Sequence, residues 1–300
     1  MRTTSAALMS AMLAALACQV AHAEPPPPEA VIADPPVDKA HPAAMAYVRV
    51  PSHGALMNGV LYTASGSGPH PTVLLLHGFP GNEQNLDLAQ AIRRAGFDVL
   101  TFHYRGAWGS PGVFSFAHAI EDADAAIAFL RDPAVASKFG VDGKRIFVAG
   151  HSMGGFMAAS AAAHDPAVAG LIMISAWNIG PESAAFGDPK ARQAAKDAEF
   201  ADDVIPLAGT SADALMSEAL SHADTWDFVA LAPALGSRPA LLITADDGSF
   251  AASHKLSTKL PRAMEVHMDT DHPFSDHRMA LESVVVGWLE RQVGAAANAS

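Results

Sequence analysis

Arg145-Ile146-Phe147-Val148-Ala149-Gly150-His151-Ser152-Met153-Gly154-Gly155 runs from a continuous apolar stretch into a serine flanked by glycines. A short apolar run of this kind suits a strand buried on both faces. The alanine-rich segment Met153 to His164 that follows has a helical pattern. Gly150-x-Ser152-x-Gly154 therefore falls at a strand-to-helix turn, the context in which a serine is held strained with its hydroxyl presented outward. The glycines remove side chains that would collide across so sharp a turn. The helix that starts behind the serine aims its N-terminal dipole at negative charge developing there.

The same rhythm extends in both directions. Thr72–Leu76, Asp98–Phe102, Gly170–Ile174 and Ala240–Thr244 are further buried-strand runs, and Met264–Met268 is expected as the last strand. Helical patterns separate them at Glu83–Ala95, Ala117–Arg131 and Ala251–Leu260, with a final helix over Asp276–Gln292. Strands alternating with helices predict an α/β fold, with a mostly parallel central sheet and helices on both faces. Met45–Val50 and Gly59–Tyr62 are expected as an antiparallel hairpin at its edge. From Asn178 to about Leu235 the rhythm breaks: no buried-strand run occurs, and helical stretches lie near Pro189–Asp203 and Ser211–His222. Ten acids stand against three bases in this insertion, more than half of the net charge of −12.

Before residue 45 the composition differs. Arg2, an apolar run from Ala6 to Val20 and the small-x-small triplet Ala21-His22-Ala23 predict a signal peptide over residues 1–23, and hence export to a periplasmic or extracellular location. Lipid attachment at Cys18 is disfavoured, because Ala15-Leu16-Ala17 matches the usual preceding residues poorly. Residues 24–44 are proline-rich, expected as an extended spacer that packs poorly, with the folded domain at 45–300. Cys18 is the sole cysteine of the 300 residues, so the mature domain would have neither disulfides nor a cysteine zinc site. With 31 acids against 19 bases, the chain does not suit phosphate-driven nucleic-acid binding. No later run is long enough for a membrane span.

The Gly150–Gly155 elbow, together with His77-Gly78-Phe79-Pro80-Gly81 after the third strand and Tyr104-Arg105-Gly106 with Gly109-Ser110 after the fourth, resembles the α/β-hydrolase superfamily. The resemblance runs from Met45 to Val293. It is nearest to the secreted serine esterases and peptidases related to dienelactone hydrolases and to prolyl-oligopeptidase-type catalytic domains. Dienelactone hydrolases proper use cysteine at the elbow, where this chain has Ser152. The resemblance implies a helical lid at 178–235 and a triad in the order serine, acid, histidine.

An attacking serine needs a base, and the base needs an acid to hold its tautomer. The resemblance places the base at His272, just after the last strand, in preference to His277, which falls on the final helix. It places the acid in Thr244-Ala245-Asp246-Asp247-Gly248, at Asp247, with Asp246 as the alternative. It assigns the oxyanion hole to the backbone N–H groups of Phe79 and Met153; Pro80 cannot donate. His77 and Arg105 are expected as braces, and Trp108 either lines the pocket or packs. The Asp269, Asp271, His272, Asp276 and His277 cluster could also be read as a metal site, but nothing else in the chain supplies matching ligands. No cofactor or metal is expected.

These residues imply a serine hydrolase for carboxylic esters, with a small-molecule ester or short peptide as its partner molecule. Amide hydrolysis by an aminopeptidase on the same triad is the alternative. In that case lid acids such as Glu199, Asp202 and Asp203 would hold the substrate's ammonium group. A non-catalytic binding protein on this fold is a third reading, and the presence of serine, acid and histidine in order speaks against it. The oligomeric state is open.

Overall fold

The computed structural model describes residues 26–297; the expected signal peptide lies outside them. Eight strands, β1 (Ala44–Ser52), β2 (Ala55–Thr63), β3 (His70–Leu76), β4 (Asp98–Phe102), β5 (Val141–His151), β6 (Gly170–Ile174), β7 (Ala240–Thr244) and β8 (Ala263–His267), form one sheet. Their order is β1-β2-β4-β3-β5-β6-β7-β8. β1 and β2 pair antiparallel, as do β2 and β4, and every other pairing is parallel. Each buried-strand run read in the sequence is a strand, with the last one displaced by one residue.

The main helices are α1 (Leu86–Arg94), α2 (Phe116–Arg131), α3 (Met153–His164), α4 (Ala212–Ser221), α5 (Phe250–Ser257) and α6 (Arg278–Ala297). Every residue of β4, β6 and β7 is buried, because helices cover both faces of the sheet. Residues of α2, α3 and α4 fill one face, and those of α1 and α6 fill the other. α3 is buried from Met153 through Ala162, so its sequence is apolar all round instead of striped. Ser115 caps α2 by accepting the His118 N–H at 3.0 Å, and Ser211 caps α4 by accepting the Ala214 N–H at 3.2 Å. α1 begins later than its apolar pattern because Asn85, at φ 55°, sits in the left-handed region and breaks the turn before it.

Two expectations need correction. The proline-rich segment is not wholly unpacked. Glu29–Ile32 makes a helical turn with Ala30 and Val31 buried beside α1 and α6, and Arg94 Nε donates to the Ala30 carbonyl at 2.6 Å. The helix expected over Pro189–Asp203 is broken into Pro189–Ala195, a π-helical turn at Lys196–Phe200, and a short end at Ala201–Asp203. Such turns shift the side chains that follow onto a new face; here Phe200 is buried inward.

The 178–235 insertion contains helices and no named strand. It is held to the body of the domain by backbone bonds from Trp108 to Pro206 at 2.9 Å and from Phe114 to Ala208 at 3.0 Å. The Glu218 carboxylate accepts the Phe116 and Ala117 N–H groups at 2.9 and 3.0 Å, closing the N-terminus of α2. Among the described residues no helix is long and apolar enough to cross a membrane.

Candidate active site

Parallel strands bring their C-terminal ends, and the loops that follow, to one edge of the sheet. Ser152 follows β5, Ser175 follows β6, Asp247 follows β7 and His272 follows β8. All four line one cavity of about 570 Å³.

Ser152 stands at φ 55°, ψ −121°, outside the helix it precedes. The strain is held by its N–H bonding Ile174 O at 2.9 Å and by its carbonyl accepting from Gly155 and Trp177 at 2.9 and 3.0 Å. The glycines around it are explained by contact distances. A Cβ on Gly150 would lie 1.9 Å from the Gly154 carbonyl oxygen, and one on Gly154 would lie 2.2 Å from that of Leu76. A Cβ on Gly78 would stand 2.9 Å from Ser152 Cβ and 3.5 Å from its Oγ, so the His77-Gly78-Phe79 backbone lies directly against the serine. Met153 N–H opens α3 on the other side.

His272 Nδ1 bonds Asp247 Oδ2 at 2.6 Å, with the Asp247 side chain 9% exposed and that of His272 44% exposed. A carboxylate can only accept, so Nδ1 carries the proton and Nε2 is free to take one. Burial would raise the Asp247 carboxyl, but the bonds from His272 and from the Ser249 N–H (2.9 Å) hold it well below the usual carboxylate range. The Ser249 and Ser175 hydroxyls lower it further, though neither closes a hydrogen bond of standard geometry. Asp246 turns away to His267 Nε2 at 3.2 Å, and His277 bonds Asp276 at 2.8 Å. The cluster read in the sequence as a metal alternative is thus dispersed: Asp271 accepts the Ser275 N–H, and His272 faces Asp247. Asp246, His267 and Asp269 do gather on the exposed surface, their ligand atoms within 4.8 Å of one another.

The His77-Gly78-Phe79 loop is braced from behind. His77 Nδ1 donates to Gly78 O at 2.7 Å, Tyr104 donates to His77 O at 3.1 Å, and Trp108 Nε1 donates to Pro80 O at 2.9 Å. Burial pushes His77 down to about 4, so it stays neutral as a brace. Trp108 packs against this loop and does not line the cavity. Arg105 is a brace too. Its Nε donates to buried Asp122 at 2.6 Å, and the Ser52 hydroxyl donates to the same oxygen at 2.6 Å.

Other residues of the site were not singled out in the sequence. His151 Nε2 donates to the His272 carbonyl at 2.9 Å. Phe200 of the 178–235 insertion meets Phe79 and Phe186 with ring centroids 5.3 and 5.7 Å apart, which joins the insertion to the His77-Gly78-Phe79 loop. Glu182 and Phe186 line the cavity, as does Asp203, one of the lid acids noted above; Asp202 does not. His151 carried a signal, since it occupies the variable position before the serine, but nothing local names a partner 121 residues away.

Known proteins show the same architecture. Est1E from Butyrivibrio proteoclasticus is similar with TM-score 0.63 and 18% identity, covering 83% of this chain and 99% of that one. The carboxylesterase EstE1, cloned from a metagenomic library, gives TM-score 0.61 at 22% identity, over 84% of this chain and 90% of its own. An esterase from Pyrobaculum calidifontis gives 0.60 at 23%, over 86% of each chain. None of the curated proteins compared matches the chain. Residues 71–263 match the family description "alpha/beta hydrolase fold". Those residues run from β3 through the elbow and lid to the start of β8, and with the sheet order and the strained Ser152 turn they establish that the chain belongs to the α/β-hydrolase family.

Proposed function

We propose that the protein is a serine hydrolase that cleaves carboxylic esters through an acyl-enzyme intermediate on Ser152. One observation carries this: the His272–Asp247 hydrogen bond of 2.6 Å opens onto the same cavity as Ser152 at the start of α3. His272 Nε2 takes the hydroxyl proton as Oγ attacks the ester carbonyl carbon. Asp247 fixes the tautomer and stabilises the imidazolium. The carbonyl π electrons move onto oxygen, where the Phe79 and Met153 N–H groups receive the oxyanion. The intermediate collapses, His272 returns the proton to the leaving alcohol, and water then repeats the sequence on the acyl-enzyme. The esterase names of the structural relatives agree with this chemistry. Export is proposed alongside it, on the leader-like composition of residues 1–23.

Labelling with a fluorophosphonate tests the nucleophile. Wild type should label once, and Ser152→Ala should not label and should lose about 10⁴–10⁶ in kcat. Full labelling of the alanine variant overturns the assignment. A parallel panel of nitrophenyl esters and aminoacyl anilides decides between ester and amide: an anilide with kcat/KM above every ester would establish a peptidase.

A further inference from the structure

The cavity carries more negative charge than ester cleavage requires. Glu182 and Asp203, both from the lid, line it, and no lysine or arginine does. Asp247 is engaged by His272, so the lid acids are a second acidic feature of the cavity. Much of the remaining wall is aromatic, from Phe79, Trp177, Phe186 and Phe200. Glu182 accepts the Asn178 N–H at 3.1 Å.

Glu182 is open to the cavity, yet the surrounding protein raises its carboxyl above the ordinary range, and Asp247 adds to the rise. A carboxylate in that position gains from a cation brought in by a ligand. An anionic group there meets repulsion, whereas an ammonium meets the Glu182 carboxylate and the negative faces of aromatic rings. A metal ion fits less well, since it needs several converging oxygen ligands and gains little from phenyl rings.

We infer that this cavity selects esters bearing an alkylammonium group, held by Glu182 among the aromatic rings that line it. The inference rests on Ser152 being the site of ester cleavage. Glu182 lies within electrostatic reach of both His272 and Asp247, so the cation and the ester carbonyl are separated by a short chain. The cation can belong to the acyl group or to the alcohol.

The test compares esters that differ only in N⁺ against C. In the alcohol arm these are acetylcholine and 3,3-dimethylbutyl acetate. In the acyl arm they are the nitrophenyl esters of 4-(trimethylammonio)butanoate and 5,5-dimethylhexanoate. In at least one arm the cationic ester should have the higher kcat/KM by about tenfold, chiefly through KM. Glu182→Gln keeps an acceptor for the Asn178 N–H and removes the charge; it should shrink that ratio at least threefold, with the neutral ester measured on the same variant as reference.

Should the variant not fold, wild type alone decides. Butyltrimethylammonium should inhibit neutral-ester turnover competitively, with an inhibition constant about tenfold below that of 3,3-dimethylbutanol. Turnover of the neutral esters with ratios at or below one in both arms overturns the inference and leaves ester cleavage standing. So does a ratio above one that Glu182→Gln does not change. Absence of turnover on every ester, with Ser152 unlabelled, overturns both.

Discussion

His151 Nε2 and the carbonyl oxygen of His272 are joined by a 2.9 Å hydrogen bond, and their rings stand 4.6 Å apart. His151 precedes Ser152 in the chain, so one bond ties the elbow to the loop that carries the proposed base. A carbonyl only accepts, which fixes the proton on His151 Nε2. Burial, with repulsion from His272, pushes His151 down to about 4, so the ring remains neutral near pH 7.

Replacing that donor should loosen the base without emptying the space. His151→Phe is expected to lower kcat on a neutral ester by about 10–100-fold, the scale of a catalytic group displaced by an ångström. His151→Gln, which keeps an N–H donor, should recover part of the loss. Steady-state kinetics giving equal kcat for wild type and both variants would show that the clamp is irrelevant.

The choice between neighbouring acids follows from their partners. Asp247→Asn should cost about 10⁴ in kcat by presenting the wrong tautomer of His272. Asp246→Asn, at an exposed residue bonded to His267, should change kcat by less than about threefold. The opposite pattern in the same assay would move the acid by one residue.

Gly78 separates activity from stability. A methyl group there would lie 2.9 Å from Ser152 Cβ, at a surface facing the reacting atoms. Gly78→Ala should lower kcat by about 10²-fold, the scale of losing one oxyanion donor, while Tm moves by only a few degrees. Unchanged kcat would place the oxyanion elsewhere.

Asp98, at the start of β4 and fully buried, accepts the Ala64 N–H at 2.8 Å and has no partner for its second oxygen. Burial raises its carboxyl to about 7, against an ordinary aspartate value of 3.8. The folded state therefore binds more protons than the unfolded state between those values. This contribution to stability is fully present below about 3.8 and is lost as pH rises through 7. Urea unfolding should show Asp98→Asn gaining on wild type as pH rises from about 4 to about 7, by up to about 1.4 kcal/mol per pH unit, and levelling off above that. A constant difference across that range would refute the raised carboxyl.

The sequence by itself determined the sheet, because strands buried on both faces must be apolar along their whole length; those of β3, β6 and β7 can be read without any partner. It also determined where a strained serine could stand, since Gly150 answers a collision with Gly154 only four residues on, whereas the collision that Gly154 answers, with the Leu76 carbonyl, arises from the packing of α3 against β3. It did not determine that Asp247 and not Asp246 meets His272. Both acids leave β7 together, and only the packing of the following loop turns one inward and the other to His267. The π turn that carries Phe200 onto Phe79 was equally hidden, because helical periodicity does not foretell one extra residue in a turn. Glu182 read as one acid among ten in the insertion; what singles it out is the lid's seat over the C-terminal ends of the strands, which turns a solvated charge into a wall of the cavity. Local sterics and burial are written along the chain, whereas the pairing of residues far apart in it depends on how the loops settle against one another.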